Sequence, residues 1–178
     1  VTPSGHPLSD ASLSQLAVPD EEITFAAMVP LQVYNSLQVP EEHERLRRIR
    51  HLIIGGGAID ERLAEALHDF PHAVWSTYGM TETLSHIALR RLNGPDASDW
   101  YRPFDGVKTR LNSDGCLVID APAVCPGTLV TNDRAELRSY SRQDNATASC
   151  FRILGRKDNV IDSGGIKIQI EEVENRLR

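Results

Sequence analysis

Ser76-Thr77-Tyr78-Gly79-Met80-Thr81-Glu82-Thr83 is the stretch on which the reading of this chain turns. The apolar run Ala73-Val74-Trp75 leads into it, and Leu84, Ile87, Ala88 and Leu92 follow at helical spacing. The pattern predicts a strand, a tight turn and the start of a helix. In an open α/β sheet that carboxyl edge is where ligands bind. Gly79 permits a sharp turn or a close approach to the backbone. Thr81 and Thr83 bring hydroxyls near an expected helix N-terminus, where backbone N–H groups favour anions. Tyr78 offers an aromatic face, and Glu82 a hard oxygen ligand of the kind Mg²⁺ takes. A flat surface, hydroxyls and a metal carboxylate are the parts of a nucleotide phosphate site. The plainer alternative is a capped helix start with a core Tyr.

Upstream, His51-Leu52-Ile53-Ile54 reads as a short strand ending in Gly55-Gly56-Gly57. Asp60 is placed to cap a helix carrying Leu63, Ala64, Leu67 and Phe70, and Pro71 stops it. Strand, glycine loop, helix and strand make one βαβ unit, expected to be parallel and right-handed. That connectivity puts the glycine loop and the Thr-Glu loop at one sheet edge, as one site. The glycines lack the spaced third Gly of a dinucleotide fingerprint. They read as a flexible turn, or as a loop without Cβ atoms that lets a planar base or phosphate approach. Further upstream, residues 23–29 suit a buried strand. Pro30 opens a helix through Leu31, Val33, Tyr34 and Leu37. Pro40 opens another, with Glu41, Glu42 and Glu44 early and Arg45, Arg47, Arg48 and Arg50 late, an order that complements the helix dipole on a solvated face. Residues 1–22 are rich in Ser, Pro and Asp and allow one short helix through Leu8, Leu13 and Leu16, capped by Ser9 or Asp10.

Beyond Asn93-Gly94-Pro95 the pattern changes to short strands and frequent turns. Strands are expected at 107–111, 116–119, 129–131 and 150–154, with turns at Ser113-Asp114-Gly115 and at 144–149. Asn132-Asp133 is expected to end its segment. The last stretch reads as two short strands joined by Gly164-Gly165, then a helix beginning with Glu171, Glu172 and Glu174 that has made about one turn at Arg178. The fold class is therefore α/β: a partial parallel βαβ sheet, then a small β-barrel-like subdomain, then a first hairpin. The expected divisions are residues 1–95, 96–157 and 158–178.

The chain has 178 residues, 40% hydrophobic and 25% charged, which is ordinary for a soluble globular protein. A formal net charge of −6 argues against a general nucleic-acid binder. Cys116, Cys125 and Cys150 are few and widely spaced, without a zinc pattern, which suits a reduced, cytoplasmic protein. The longest apolar run, near residues 23–31, is too short to span a bilayer, and no secretory signal is visible at Val1. The six histidines lack ligand spacing, and His86 suits a pocket lining or a satisfied partner better than a catalytic base.

Tyr78-Gly79-Met80-Thr81-Glu82 resembles the Tyr-Gly-x-Thr-Glu motif of the AMP-forming acyl-CoA synthetases, the adenylate-forming superfamily. Gly155-Arg156-Lys157-Asp158, Ile161, Gly165, Ile168 and Glu172-Val173-Glu174 are similar, in type and spacing, to that family's late motif, and Asp133 lies between the two in the family's order. The resemblance covers residues 23–178. It implies that Gly55, Gly56 and Gly57 border the adenine and acyl pockets. Tyr78 would stack on adenine, with Gly79 beside it. Thr81 would reach the α-phosphate, and Glu82 would bind Mg²⁺. Asp133 would hold the ribose hydroxyls, although the usual preceding Gly is Asn132 here, and Arg156 would lie near ribose and phosphate. Asp158 would be the hinge to a small C-terminal domain, and Gly164 and Gly165 would approach the coenzyme A tunnel. Relatives often carry Lys where this chain has Asp162.

The resemblance implies two steps: a carboxylate attacks the α-phosphorus of ATP to give an acyl-adenylate and pyrophosphate, and coenzyme A then displaces AMP. Met80 to Arg90 and Asp158 to Gly165 resemble most the o-succinylbenzoate–CoA ligases of menaquinone synthesis, which would put Ser85 and His86 near an aromatic dicarboxylate. The alternatives are another aryl- or fatty-acyl-CoA synthetase, or a non-catalytic nucleotide-binding module. An amino-acid adenylation domain fits less well, since nothing marks a carrier-protein partner. The family's phosphate loop and its late Lys have no counterpart in these residues, so the chain reads as a fragment expected to show little ligase activity alone.

Overall fold

The structure, a computed structural model, describes residues 23–141, 147–163 and 166–169. The helix expected within residues 1–22, the Gly164-Gly165 turn and the helix from Glu171 lie outside them. The described residues form two compact units, one of residues 23–80 with 88–99, the other of residues 81–87 with those from 100 onward.

The first unit is built on a sheet in the order β1-β2-β3-β4, where β1 is Phe25–Met28, β2 His51–Ile54, β3 Ala73–Gly79 and β4 His86–Arg91. Strand β1 pairs with β2, and β2 with β3, in parallel. Three helices make the connections: α1 (Pro30–Leu37), α2 (Pro40–Arg48) and α3 (Glu61–His68). Pro30 and Pro40 stand at helix starts, where a missing N–H costs nothing. The Gln32 side chain accepts a hydrogen bond from the Val29 N–H at 3.0 Å. Glu41 and Glu42 sit in the first turn of α2, and Arg45, Arg47 and Arg48 in its last, as the dipole favours. Asp60 caps α3, accepting from the Leu63 N–H at 2.8 Å. The core joins Val33, Leu46, Leu52, Ile54, Leu63, Leu67 and Val74. Each such side chain contributes about 1.5–3 kcal/mol by leaving water, and together they fix the height of the β2 and β3 tips.

Two expectations fail here. Strand β1, at the end of the sheet order, is not buried: Phe25 and Ala27 are exposed, and Ala26 and Met28 half-buried. The residues after Thr83 do not form a helix: a 3-10 turn at Thr81–Thr83 is followed by strand β4. The apolar spacing of Leu84, Ile87, Ala88 and Leu92 fits a helix on paper. In the fold, Ile87 and Ala88 are consecutive and both buried, and Leu84 is exposed. A strand flanked on both faces buries neighbours in this way, and its core decides the conformation over the local period.

The second unit carries a four-stranded antiparallel sheet in the order β6-β7-β8-β9. Its strands are β6 (Lys108–Leu111), β7 (Cys116–Asp120), β8 (Leu129–Ser141) and β9 (Thr147–Arg156). Leu117, Val118, Ile119 and Phe151 are fully buried in it. Gly115, at φ +76°, completes the expected turn after Ser113 and Asp114. The short β5 (Arg102–Pro103) lies next to the start of β4, since the Phe104 N–H donates to the Ile87 carbonyl at 2.9 Å. Two expectations change. Asn132 and Asp133 do not end a segment but lie inside β8, and residues 147–149 belong to β9 rather than to a polar turn. The β8–β9 ladder supplies the reason: its rungs run from Asp133 opposite Arg156 to Ser141 opposite Thr147, so polar residues on its open face are carried by pairing rather than by burial. Beyond β9, a 3-10 turn at Lys157–Asn159 leads into β10 (Val160–Ser163), which pairs antiparallel with β11 (Ile166–Gln169) as the expected hairpin.

Candidate functional site

In the first unit, the carboxyl ends of three parallel strands meet the glycine loop. Ile54 of β2 is in register with Ser76 of β3, and the Gly55 N–H donates to the Met28 carbonyl at the end of β1, 3.0 Å away. A Cβ at Gly55 would collide with the Thr77 hydroxyl, which would have to turn away to admit it. Gly56 has φ +78°, a conformation that L side chains rarely adopt. Its missing side chain would face Val29, and that of Gly57 would face Pro30. The loop is thus a closely fitted backbone turn over the start of α1. Tyr78 is half-buried and Gly79 exposed at the end of β3, on the same sheet edge as the loop. The structure brings Gly55, Gly56, Gly57, Tyr78 and Gly79 to one edge, as the connectivity required.

In the second unit, Thr81 and Glu82 stand exposed on the 3-10 turn. No α-helix follows, so the helix N-terminus expected to favour anions there is absent. Thr83 is buried, and its hydroxyl donates to the Ser85 carbonyl at 2.7 Å. Leu84 has φ +61°, alone among non-glycine residues described, and is 78% exposed. A bulky residue held there against its steric preference marks a loop whose shape is imposed. Ser85 Oγ lies 3.1 Å from His86 Nδ1, and the His86 ring meets Phe104 edge-on at 5.5 Å between centroids. Ser85 and His86 therefore form a connected pair.

A second cluster of this unit lies on β8 and β9. Asp133 and Arg156 are partners in the ladder, with Oδ1 and Nη1 3.6 Å apart and the Asp133 side chain 14% exposed. The other edge of the Arg156 fork grips Asp158: Nε donates to Oδ1 at 3.0 Å and Nη2 to Oδ2 at 2.8 Å. That bidentate contact holds the Asp158 carboxyl below the usual carboxylate range. Next to it, Lys157 Nζ donates to Asp114 at 2.7 Å, which lowers the Asp114 value and raises that of Lys157. Sequence reading missed two supports. Thr131 Oγ1 donates to the Leu117 carbonyl at 2.9 Å and accepts from the Asp133 N–H at 3.1 Å, which fixes the backbone that presents Asp133. The Thr-Asn-Asp order was the available signal, since a Thr hydroxyl commonly caps the N–H two residues on. The Lys157–Asp114 pair spans 43 positions and leaves no local trace.

Glu82 is one exposed carboxylate, and no group of three or more His, Cys, Asp or Glu side chains gathers as a metal site among the described residues. A lone carboxylate suits Mg²⁺ that arrives on nucleotide phosphates better than a metal held by protein alone. All three cysteines are free thiols, and burial pushes Cys150 up. Among the described residues no helix is long and apolar enough to cross a membrane. Gly164 and Gly165 lie outside the described residues, and Asp162 stands across from Lys167 in the β10–β11 register.

Residues 1–130 match the family model described as AMP-binding enzyme. A plipastatin synthase polypeptide of Bacillus subtilis (strain 168) is 26% identical over 149 residues, 80% of this chain and 6% of that protein. The 2-succinylbenzoate–CoA ligase of Bacillus cereus (strain AH820) is 25% identical over 191 residues, 94% of this chain and 39% of that protein. Among solved structures, an acyl-CoA synthetase (AMP-forming)/AMP-acid ligase II-like protein from Dyadobacter fermentans DSM 18053 superposes with a TM-score of 0.68 at 35% identity, over 92% of this chain and 44% of that one. The chain thus spans less than half the length of each of these relatives.

Proposed function

Because this chain belongs to the AMP-binding enzyme family, we propose that the protein joins a carboxylic acid to coenzyme A at the expense of ATP, with o-succinylbenzoate as the acid. The substrate carboxylate attacks the α-phosphorus and forms a new O–P bond, and pyrophosphate leaves. The thiol of coenzyme A then attacks the acyl carbon and AMP leaves.

By the family pattern, roles fall to residues of each unit. In the first, the Gly55–Gly57 backbone and the Tyr78 ring receive the adenine. In the second, Thr81 contacts the α-phosphate, Asp133 accepts from the ribose hydroxyls and Arg156 adds positive charge near them. Ser85 and His86 orient the acyl group. Glu82 is the side chain that would hold Mg²⁺, which when bound offsets part of the phosphate charge. The first step brings two anions together, so alignment and charge compensation supply most of what the protein must provide. No covalent nucleophile is needed from the chain. Asp158 acts as the hinge, Gly164 and Gly165 approach the thiol path, and the protein works in the cytoplasm.

The observation that carries this reading is the Asp133–Arg156 rung: the two residues the family pattern assigns to one nucleoside, 23 positions apart in sequence, stand face to face in the ladder. The test is to assay the full-length protein with ATP, Mg²⁺, coenzyme A and o-succinylbenzoate, following AMP and thioester by chromatography. Thioester formed with o-succinylbenzoate in preference to benzoate, fatty acids and amino acids is the expected result. Preference for another acid would move the substrate assignment. The absence of any acid-dependent pyrophosphate exchange would overturn the ligase reading.

A further inference from the structure

The second unit carries a cluster for which the ligase reading has no use. Residues 100–102 lie along the outer edge of β9. Tyr101 and Phe151 exchange both backbone hydrogen bonds, at 2.7 and 3.0 Å, and their rings stack at 5.5 Å. The tie brings Trp100 and Arg102 onto one face of the β8–β9 ladder. Glu136, Arg138 and Tyr140 alternate along β8 and so share that face, and Arg152 stands opposite Glu136. The guanidinium groups of Arg138 and Arg152 lie over the Trp100 ring, at 5.5 and 5.3 Å, and that of Arg102 lies 5.2 Å over Tyr140. Arg152 also donates to Glu136 at 2.6 Å.

Three guanidinium groups thus face one carboxylate, in a chain whose formal net charge is −6. Among the described residues no carboxylate pairs with Arg102 or Arg138, and both are exposed. The Nε of Arg152 is buried and has no hydrogen-bond partner. A guanidinium seated on a ring is held in place, so a later ion pair costs it less conformational freedom.

We propose that this face of the β8–β9 ladder, built from Arg102, Arg138 and Arg152 on Trp100 and Tyr140, docks an acidic segment of a partner protein. Charge complementarity selects an anion. A nucleic acid fits less well, because the rings that would stack on bases already carry guanidinium groups, and a long polyanion would meet the net negative charge of the chain. A membrane surface fits less well too, because Trp100 and Tyr140 are half-buried rather than presented.

Fluorescence polarisation of a labelled oligoglutamate peptide, titrated with the purified protein at low salt, tests the proposal. Saturable binding is expected, weakened by salt and reduced about tenfold or more in Arg102→Glu/Arg138→Glu. Arg102→Gln/Arg138→Gln keeps the surface without reversing its charge and should show a smaller loss, with the thermal midpoint checked for both. Failure of the peptide to bind, or equal binding by a folded charge-reversed variant, would overturn the proposal. Tighter, arginine-dependent binding of an oligothymidylate or of phosphatidylserine vesicles would overturn it in favour of that partner.

Discussion

Asp133 and Arg156 face each other across the β8–β9 ladder, Oδ1 to Nη1 at 3.6 Å, while the same guanidinium holds Asp158 bidentately. On the proposed reading the Asp133 carboxylate receives the ribose hydroxyls, with the Arg156 guanidinium beside it. Asp133→Asn in the full-length protein should weaken AMP binding by about 10–100-fold, the range for losing hydrogen bonds to a charged acceptor. Calorimetry with AMP reads this directly. Unchanged affinity would remove Asp133 from the nucleotide site.

Gly55 and Thr77 are sterically coupled. Gly55→Ala places a methyl group on the Thr77 hydroxyl and should cost about 1–3 kcal/mol of stability. Adding Thr77→Ala removes the obstacle and should recover most of the loss. A double-mutant cycle by urea denaturation measures the coupling, and additive effects would contradict the contact.

Leu84 is exposed and held at φ +61°, so its side chain contributes little burial while its backbone is strained. Leu84→Gly is therefore expected to stabilise the protein by about 0.5–1 kcal/mol, against the usual direction for a glycine substitution. A fall in stability would mean that the leucine packs on something after all. A drop in acid activation alongside higher stability would assign the strained shape to function.

The Arg156 fork lowers the Asp158 value, and Lys157 lowers that of Asp114. A carboxylate depressed in the fold adds stability above its unfolded value, about 3.9. That contribution fades as pH falls through the lower folded value. Both groups are exposed, so the effect on stability is small and the titrations are the better readout. Carboxyl chemical shifts should put both midpoints below the ordinary aspartate value, with Arg156→Gln returning Asp158 to it and Lys157→Gln returning Asp114. Lys157, raised by Asp114, keeps its side of the pair until pH passes its folded value. Midpoints that ignore both substitutions would show that these pairs do not persist in solution.

Asn93 is buried and knits the end of β4 to α3 and β3. Its Oδ1 accepts from the Val74 N–H at 2.9 Å and from Arg91 Nε at 2.8 Å, and its Nδ2 donates to the Phe70 and His72 carbonyls at 2.8 and 2.7 Å. Asn93→Leu leaves those groups unpaired and should cost about 2–4 kcal/mol. A loss under about 1 kcal/mol in urea melts would mean that water replaces the amide.

The sequence reached most of the first unit because each signal there is local. Proline starts, the Asp60 cap, charge order in α2 and the glycine punctuation all act within one turn of the residue concerned. Thr83 to Leu92 was misread because apolar spacing cannot separate a helix from a strand buried on two faces, and Asn93, whose four bonds settle the matter, reads in isolation as a loop residue beside Gly94-Pro95. At the candidate site the motif residues were legible, and the contacts that hold them were not. Thr131 beneath Asp133, Lys157 on Asp114 and the divided grip of Arg156 depend on which strands become neighbours, and only the folded ladder sets that.

The pairing of Tyr101 with Phe151 also covers backbone that a strand edge would otherwise leave open. Without those two hydrogen bonds the longest ladder in the second unit would offer its outer rim as a template for a strand from another copy. A short stretch, with arginines stacked over its Trp100 ring, covers that rim beside Phe151 and leaves no open backbone there for such a strand.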